Sequence, residues 1–401
     1  MISIEELKQI SVVSPSRIVM LVIDGLGGLP NPETNKTELE SAHTPHLDQL
    51  AAWGVCGLID PVSPGITPGS GPGHLALFGY DPFKFSIGRG VLEALGIGFE
   101  LQETDVAARG NFCTIDGQGL ITDRRAGRIS TDICAELCSL LEKIELKGVQ
   151  LFVLPVREHR FLFVVRGKNL SAEVSDTDPQ KTGVIPNSAS ALHPEAKQTA
   201  DLVNEFVGKA REVLAGRHPA NMILLRGFSK LPEIPSMSEI YKLRPAAIAR
   251  YPMYKGLAKL VGMKIFDIDN VVEDGIRILA DRYHEHDFFY IHAKESDSAG
   301  EDGDFYRKVQ AIEKVDSALP LLLRLKPDVL VVTGDHSTPA LFRGHSWHPV
   351  PILLFSQWCR PDRTKEFSES ACIHGGLGRL SAVDIMPLAM ANALKLNKYG
   401  A

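Results

Sequence analysis

The feature that most constrains this 401-residue chain is a set of apolar runs without polar alternation, each ending in a polar cluster. Residues 17–28 read RIVMLVIDGLGG, residues 287–293 read DFFYIHA and residues 328–336 read DVLVVTGDH. Strands that are apolar on both faces are typical of parallel sheets covered by helices. The runs therefore predict the central strands of such a sheet.

A helix is predicted between the second and third of these runs. The apolar residues Val309, Ile312, Val315 and Leu319 recur there at the spacing of one helical face. A strand, a helix and another strand over this length form a βαβ unit, in which the two strands are parallel. The predicted fold class is α/β, with a doubly wound, mainly parallel sheet as its core.

The middle of the chain has a different pattern. Residues 105–128 predict a hairpin that turns at 116–119, and residues 149–167 predict two strands that turn at 157–159. A helix over about 194–216 and a strand at 221–227 follow. This α+β pattern predicts an inserted substrate-binding domain at 100–245, within a discontinuous metal-binding core formed by 1–99 and 246–401.

Composition excludes several classes of function. The formal net charge is -6 and no Lys/Arg block occurs, so nucleic acid is not an expected partner. No apolar run approaches the length of a membrane span, and the N-terminus does not read as a signal peptide. Six scattered cysteines favour a reduced protein, so we expect a cytoplasmic location. The sequence does not indicate an oligomeric state.

Carboxylates and imidazoles stand at the ends of the predicted core strands, where open parallel sheets bind their ligands. They are Asp24, Asp297, Glu301, Asp335 and His336 after strands, and His345 and His348 before the apolar run at 349–355. Each residue alone has a simpler explanation, as a turn cap or a solvated side chain. Their joint position favours a site for Mn, Zn or Mg.

The stretch ESDSAGEDGD at 295–304 has three interpretations: a solvated loop, a calcium loop or half of a catalytic metal site. A calcium loop that starts at Asp297 needs an acid or amide at its third position and glycine at its sixth. Those positions hold Ala299 and Asp302, so the calcium loop is rejected. Asp297 and Glu301 remain as candidate ligands of one metal ion.

A candidate nucleophile lies in the segment ITPGSGPGHLALFGYDP at 66–82. Ser70 occupies a Gly/Pro-rich turn before a helical pattern, where backbone N–H groups can approach an anion. A serine beside a metal ion can attack phosphorus. The alternative is an ordinary helix N-cap. The neighbouring metal-ligand set favours the nucleophile.

Basic residues offer a clamp for a substrate that carries phosphate and carboxylate groups. The candidates are Arg124, Arg125, Arg128, His159, Arg160 and Lys255. The alternative for each of them is solvated surface charge.

Together these segments resemble the alkaline phosphatase superfamily, and more closely the archaeal-type 2,3-bisphosphoglycerate-independent phosphoglycerate mutases. The resemblance rests on VIDGLGG, HTPHLDQLA, PGSGPGHLALFGYDP, ARGNFCTID, DRRAGR, EHRF, SDTDP, YPMYKGLAKLVGM, DSAGEDGDF, TGDHSTP, HSWHPVP and GGLGRL. These motifs occur in order over nearly the whole chain. They imply an alkaline-phosphatase-like core and interconversion of 3- and 2-phosphoglycerate in glycolysis and gluconeogenesis.

The resemblance also implies residue roles. Ser70 would be the phosphorylated nucleophile, and two divalent metals, Mn first with Mg or Zn as alternatives, would be bound. One metal would lie among Asp24, Ser70, Asp335 and His336, and the other among Asp297, Glu301 and His345. His159 and the arginines would position the substrate, over which the inserted domain would close.

One position departs from the broader superfamily pattern. There, an Asp is commonly followed four residues later by His, whereas here Asp297 is followed by Glu301. Because a carboxylate is a harder ligand than an imidazole, we expect a site biased towards Mn or Mg over Zn. His348 is a less favoured substitute for Glu301.

Three other functions compete with the mutase. The same core suits a metal-dependent phosphatase or phosphodiesterase. A homoserine-kinase-like phosphotransferase is a second alternative, although no Walker-type nucleotide motif occurs. A binding protein with an inactive site is the third, and the intact set of candidate ligands argues against it.

Overall fold

The computed structural model describes residues 2–268 and 272–400. The chain forms two compact units, one of residues 1–86 and 234–401 and the other of residues 87–233. The described strands are β1 Ile18–Ile23, β2 Val55–Asp60, β3 Asp105–Ile115, β4 Ile121–Asp123, β5 Gln150–Arg157, β6 Arg160–Arg166, β7 Met222–Ser229, β8 Pro245–Ile248, β9 Lys264–Phe266, β10 Phe288–Ala293, β11 Val329–Thr333, β12 Val350–Ser356 and β13 Gly378–Ser381.

The described α-helices are α1 Ile4–Ile10, α2 Glu38–Ser41, α3 Pro45–Trp53, α4 Ser70–Leu77, α5 Arg89–Gly96, α6 Thr131–Leu141, α7 Lys197–Val213, α8 Met237–Tyr241, α9 Pro252–Leu260, α10 Val272–Arg282, α11 Glu295–Asp302, α12 Phe305–Leu323, α13 Glu369–Cys372 and α14 Ile385–Asn392. Within the described ranges, none of these helices combines the length and apolar character needed to cross a membrane.

The first unit is built on an eight-stranded sheet in the order β13-β2-β12-β11-β1-β10-β8-β9. The residues of β1, β10 and β11 are buried throughout, as expected for strands covered on both faces. β1 pairs in parallel with both β10 and β11. The predicted α/β class with a mainly parallel sheet is therefore confirmed.

The direction of β12 decides which residues reach one edge of the sheet. β12 runs antiparallel to both of its neighbours, β11 and β2. Thr333, at the carboxyl end of β11, faces Ile352, near the start of β12. The segment that enters β12 therefore lies at the edge where β1, β10 and β11 end.

The acidic stretch at 295–304 is helical rather than a loop. It forms α11, which ends at Gly303 in a left-handed conformation with φ of 77°. Asp304 then caps α12, because its side chain accepts a hydrogen bond from the backbone N–H of Arg307. Two helices therefore connect β10 to β11, where the sequence predicted one.

The second unit contains a five-stranded antiparallel sheet with the order β4-β3-β6-β5, in which β7 also pairs with β3. The two predicted hairpins correspond to β3–β4 and β5–β6. Apolar side chains of β3, β6 and β7 pack with those of α6 and α7 in one core, which includes Phe112, Phe163, Cys138 and Phe206.

The chain passes from one unit to the other at 86/87 and at 233/234, whereas the sequence predicted domain boundaries at 99/100 and 245/246. α5 belongs to the second unit. Ala94 of α5 packs with Ala107 of β3, and a Cβ at Gly90 would overlap the carbonyl group of Ala107. In the first unit, β8 extends the large sheet by pairing in parallel with β10.

We expect Gly73→Ala to destabilise the chain by about 1–3 kcal/mol, because an added methyl group in a tightly packed site forces the backbone to move. Gly73 lies in α4, and its Cβ would overlap the carbonyl oxygen of Asp335. Urea unfolding in the presence of a metal chelator measures the loss.

Gly208→Ala is the matched control, since Gly208 is also helical but has open space where a Cβ would be. This substitution should stabilise by about 0.5–1 kcal/mol. Equal effects of the two substitutions would contradict the close packing of α4 against the end of β11.

Candidate metal centre

Two groups of carboxylates and imidazoles lie at the edge of the first unit's sheet where β1, β10 and β11 end. One group is Asp24, Asp335 and His336, and the other is Asp297, His336 and His345. Within each group the ligand atoms lie within 4.8 Å of one another. His336 belongs to both groups. The sequence prediction had assigned this imidazole to only one of the two metal sites.

Hydrogen bonds orient the His336 ring. Its Nδ1 lies 2.9 Å from Oγ1 of Thr338, whose hydroxyl donates to Oδ1 of Asp297 at 2.6 Å. The Nδ1–H therefore donates to Thr338, and Nε2 faces the acids. Nε2 lies 3.1 Å from Oδ2 of Asp335 and 3.4 Å from Oδ1 of Asp24.

Charge balance at this ring indicates a cation site. Burial lowers the pKa of the His336 imidazole, but the carboxylates, Asp335 first, outweigh it and raise that pKa to about 9. Burial likewise raises the pKa of Asp335, whereas His336 and His74 hold it well below the usual value. A metal ion at Nε2 would take the place of the imidazole proton.

Two buried carboxylate oxygens, Oδ1 of Asp24 and Oδ2 of Asp335, accept no hydrogen bond from residues 2–268 and 272–400. Nitrogens of the His74 and His336 rings approach Asp335 Oδ2 to 3.1 Å, and the Nδ1–H of His74 donates to the carbonyl of Ser70. Buried anionic oxygens without donors are costly unless a cation satisfies them. The residues present therefore fit a divalent metal.

Ser70 lies at the start of α4, beside these groups. Its Oγ is 3.3 Å from Nε2 of His336, and Gly69, the N-cap, is extended. One turn later, Nδ1 of His74 lies 2.9 Å from the carbonyl of Ser70 and 3.1 Å from Asp335. His74 thus connects the start of α4 to the carboxylate of Asp335 in the first group.

His345 enters the second group from the segment that precedes β12. Its Nδ1–H donates to the carbonyl of Pro68 at 2.9 Å, which leaves Nε2 facing Asp297 at 3.7 Å. Its ring stacks on that of His336 with centroids 3.6 Å apart. Glu301 lies beside the group, with Oε1 3.9 Å from His345 Nε2 and a side chain that is 55% exposed. His348 instead contacts Ser346 and Trp347.

Sequence reasoning missed Lys294, which lies between the two groups. Its Nζ is 3.1 Å from Oδ2 of Asp24 and also donates to Asp297. Burial lowers the pKa of this amine, but the two carboxylates outweigh it and raise the pKa above its usual value. The available signal was its position directly after β10.

His292 and Tyr254 also escaped the sequence prediction. Nε2 of His292 lies 2.9 Å from Oδ2 of Asp24, and the ring of Tyr254 packs against the His292 ring at a tilt of 31°, with centroids 3.8 Å apart. Burial lowers the pKa of His292, so the neutral ring donates from Nε2. A histidine inside an otherwise apolar buried strand was the signal in the sequence.

Two of the predicted substrate-binding residues have carboxylate partners. Arg124, in the second unit, makes two hydrogen bonds to Asp178, at 2.7 and 3.0 Å. Lys255, in the first unit, lies 2.6 Å from Asp267.

The remaining predicted residues cluster within the second unit. Arg160, Arg125 and Arg128 act electrostatically on His159, which is buried. Burial first, and then these guanidinium charges, lower the pKa of His159 to about 4. The ring is therefore neutral at pH 7 and can accept as well as donate a hydrogen bond.

Three arginines that the sequence prediction did not name extend this basic cluster. They are Arg89 of α5, Arg109 of β3 and Arg226 of β7, whose charges act on one another. Arg109 faces Arg226 across the sheet and pairs with Glu93. Several guanidinium groups around one site are typical of binding to phosphate or carboxylate.

Comparison with known proteins finds relatives that match nearly the whole chain. The family model of 2,3-bisphosphoglycerate-independent phosphoglycerate mutase matches residues 51–221. A curated protein from Thermus thermophilus, named a probable mutase of this kind, is 50% identical over 98% of both chains. One from Thermotoga neapolitana, with the same name, is 52% identical over 96% of both chains.

Two solved structures share the fold. One, of a protein from Pyrococcus horikoshii, has a TM-score of 0.82 and 30% identity and covers 97% of this chain and 100% of its own. The other, a cofactor-independent phosphoglycerate mutase from Thermoplasma acidophilum, has a TM-score of 0.75 and 32% identity and covers 94% of this chain and 100% of its own.

Fold and site together define an α/β protein with a mainly parallel sheet and with acidic and imidazole groups at one edge of it. Its relatives narrow this class. The chain belongs to the family of 2,3-bisphosphoglycerate-independent phosphoglycerate mutases, which are isomerases.

The pKa of His159 predicts a pH dependence of stability. Because the pKa in the folded chain is about 4 against 6.5 for an unperturbed ring, the unfolded chain binds more protons between these values. The free energy of unfolding should therefore fall as the pH falls from about 6.5 to about 4. His159→Asn should remove about 1–2 kcal/mol of that fall, since solvent screening reduces the full effect.

Urea unfolding curves at pH 7 and pH 4.5 measure this difference. His193→Asn, at an exposed histidine of the same unit, is the control. The same acid loss in the His159 variant as in the wild type would show that His159 is not held neutral by its surroundings.

Proposed function

We propose that the chain interconverts 3-phosphoglycerate and 2-phosphoglycerate without 2,3-bisphosphoglycerate, as a step of glycolysis and gluconeogenesis. The observation that carries the proposal is the position of Ser70. Its Oγ lies 3.3 Å from Nε2 of His336, the imidazole that both metal-binding groups share. A serine in this position can receive a phosphoryl group and return it.

Two divalent metal ions would be held by this chain. One would be bound by Asp24, Asp335 and His336 with Ser70, and the other by Asp297 and His345 with Glu301, His336 lying within reach of both. When bound, the metals would lower the pKa of the Ser70 hydroxyl and offset charge on the phosphoryl oxygens.

The reaction can be written on the chain's own groups. Ser70 Oγ forms a bond to phosphorus as the bond from phosphorus to O3 of the substrate breaks. The Ser70 hydroxyl loses its proton in this step, and O3 of the glycerate gains one. Glycerate then turns, its O2 forms a bond to phosphorus as the bond from phosphorus to Ser70 Oγ breaks, and the proton that O2 loses is balanced by the one that Ser70 regains. Exclusion of water preserves the phosphoserine between these steps. The Lys294 ammonium offsets carboxylate charge where the anionic substrate enters.

The basic residues of the second unit supply the anion-binding groups for the substrate. Arg125, Arg128, His159 and Arg160 are the proposed contacts of its phosphate and carboxylate. Arg109, whose charge acts on Arg160, belongs to the same cluster. Lys255 and Arg124 are also proposed substrate contacts. Each already has a carboxylate partner, with which the substrate would compete.

Ser70→Ala should lower turnover at least 1,000-fold, because the phosphoryl group loses its acceptor. The assay supplies Mn²⁺ and 3-phosphoglycerate without bisphosphoglycerate, couples 2-phosphoglycerate to enolase and measures free phosphate in parallel. Ser317→Ala, at an exposed serine of α12 whose hydroxyl donates to the carbonyl of Lys314, is the control and should retain wild-type turnover.

The two readouts separate the competing functions. Formation of 2-phosphoglycerate with little free phosphate supports the mutase. Free phosphate and glycerate as the main products would instead identify a phosphatase, and phosphorylation of homoserine by ATP a kinase-like phosphotransferase. Substantial turnover by Ser70→Ala would refute the phosphoserine step.

Glu301 makes the metal preference testable. Because carboxylate is harder than imidazole, protein purified without added metal should contain Mn or Mg rather than Zn. Glu301→His should raise the affinity for Zn²⁺ relative to Mn²⁺ about tenfold or more. Elemental analysis and competition titrations measure both quantities. Tightly bound stoichiometric Zn in both sites of the wild type would contradict the preference.

A further inference from the structure

A buried lysine contacts the segments that carry the candidate metal ligands. Lys308 of α12 is fully buried, which is rare for a lysine unless its charge is compensated. Its Nζ donates to the carbonyl oxygens of Gly27 and Thr338, both at 2.9 Å. Oε1 of Glu38 lies 3.9 Å away. The ammonium group is thus held by two backbone carbonyls and one carboxylate.

Those two carbonyls belong to the two segments that carry candidate metal ligands. We call residues 24–29, which follow β1, the first metal loop, and residues 335–340, which follow β11, the second metal loop. Asp24 lies in the first, and Asp335 and His336 lie in the second. Lys308 therefore binds one carbonyl from each metal loop.

Glu38 makes the complementary contacts. Its Oε1 accepts the backbone N–H of Ala340, in the second metal loop, at 2.7 Å. Its Oε2 accepts that of Leu29, in the first metal loop, at 3.3 Å. Glu369 adds a bond from the N–H of Gly28 at 2.8 Å. One cation and two anions therefore hold the two metal loops through both their carbonyl and their N–H groups.

The metal loops also contact each other and the second metal-binding group. The N–H of Thr338 donates to the carbonyl of Gly27 at 3.0 Å. The Gly27 carbonyl therefore accepts hydrogen bonds from both the second metal loop and Lys308. The hydroxyl of Thr338 donates to Asp297, and its oxygen accepts from His336. A shift of the Thr338 backbone would therefore move ligands of both groups.

We propose that Lys308 and Glu38 are positioning residues that set the spacing of the two metal loops, and thereby the metal affinity of both groups. Charge-assisted hydrogen bonds in a dry interior are strong and directional. Outer partners of metal ligands typically change metal affinity by about 10–100-fold when they are removed. This inference rests on the metal sites of the proposed function.

The chain supplies a matched control for a buried lysine. Lys395 is also fully buried, and its Nζ donates to the carbonyl of Ser14 at 2.8 Å and lies 3.8 Å from Asp287. Ser14 precedes β1 and Asp287 precedes β10, so these contacts lie at the edge of the sheet opposite the metal loops. Loss of its amine affects stability without affecting the metal loops.

The test compares Lys308→Met and Lys395→Met in the full chain. Mn²⁺ alone is titrated into chelator-stripped protein, and free Mn²⁺ is followed by its electron paramagnetic resonance signal. We expect a loss of Mn²⁺ affinity of about 10–100-fold for Lys308→Met and less than twofold for Lys395→Met. We also expect saturating Mn²⁺ to restore much of the turnover of Lys308→Met, which a general loss of folding would not permit.

Equal Mn²⁺ affinity of wild type and Lys308→Met overturns the positioning role, as does an equal loss in both lysine variants. Failure of the wild type to bind Mn²⁺ overturns the metal sites of the proposed function and the inference with them. If Lys308→Met gives no folded protein by circular dichroism, Glu38→Gln decides, because it keeps the shape of the side chain. Unchanged Mn²⁺ affinity in Glu38→Gln then overturns the inference.

Discussion

Repulsion among three fully buried carboxylates, those of Asp24, Asp297 and Asp335, governs the arrangement of the first unit. Like charges at such short range in a dry interior are stable only beside compensating cations. The chain provides the Lys294 ammonium between the two groups and the His336 imidazole beside Asp335. Two carboxylate oxygens still accept no hydrogen bond from the described residues, and divalent metals would compensate their negative charge.

The reversed strand β12 completes the site. In a purely parallel arrangement, the residues that precede a strand lie at the far edge of the sheet from those that follow its neighbours. Because β12 is antiparallel to β11, the segment that carries His345 reaches the edge where Asp24 and His336 stand. The Nδ1–H of His345 then donates to the carbonyl of Pro68, two residues before Ser70, so the same side chain links a candidate metal-binding group to the segment that carries Ser70.

Much of this arrangement was readable from residue pattern. Unalternated apolar runs gave the buried parallel strands, and polar residues at their ends gave Asp24, Asp297, Asp335 and His336 as a set. The helix over 295–302 was not recognised, because its acidic composition looks like a solvated loop and its burial comes from packing. Lys308 was missed because it bonds to Gly27, which is 281 residues away in the sequence.

The sequence by itself determined which chemical groups are available and at which strand ends they stand, because hydrophobic periodicity is a local property of the chain. It also determined the family, since motifs in order over the chain identify relatives. Only the tertiary structure decided that one imidazole serves both groups, that Glu301 lies mostly exposed beside its predicted site and that a buried lysine spans two loops. These facts depend on distances between segments up to about 300 residues apart, which packing sets and local pattern does not encode.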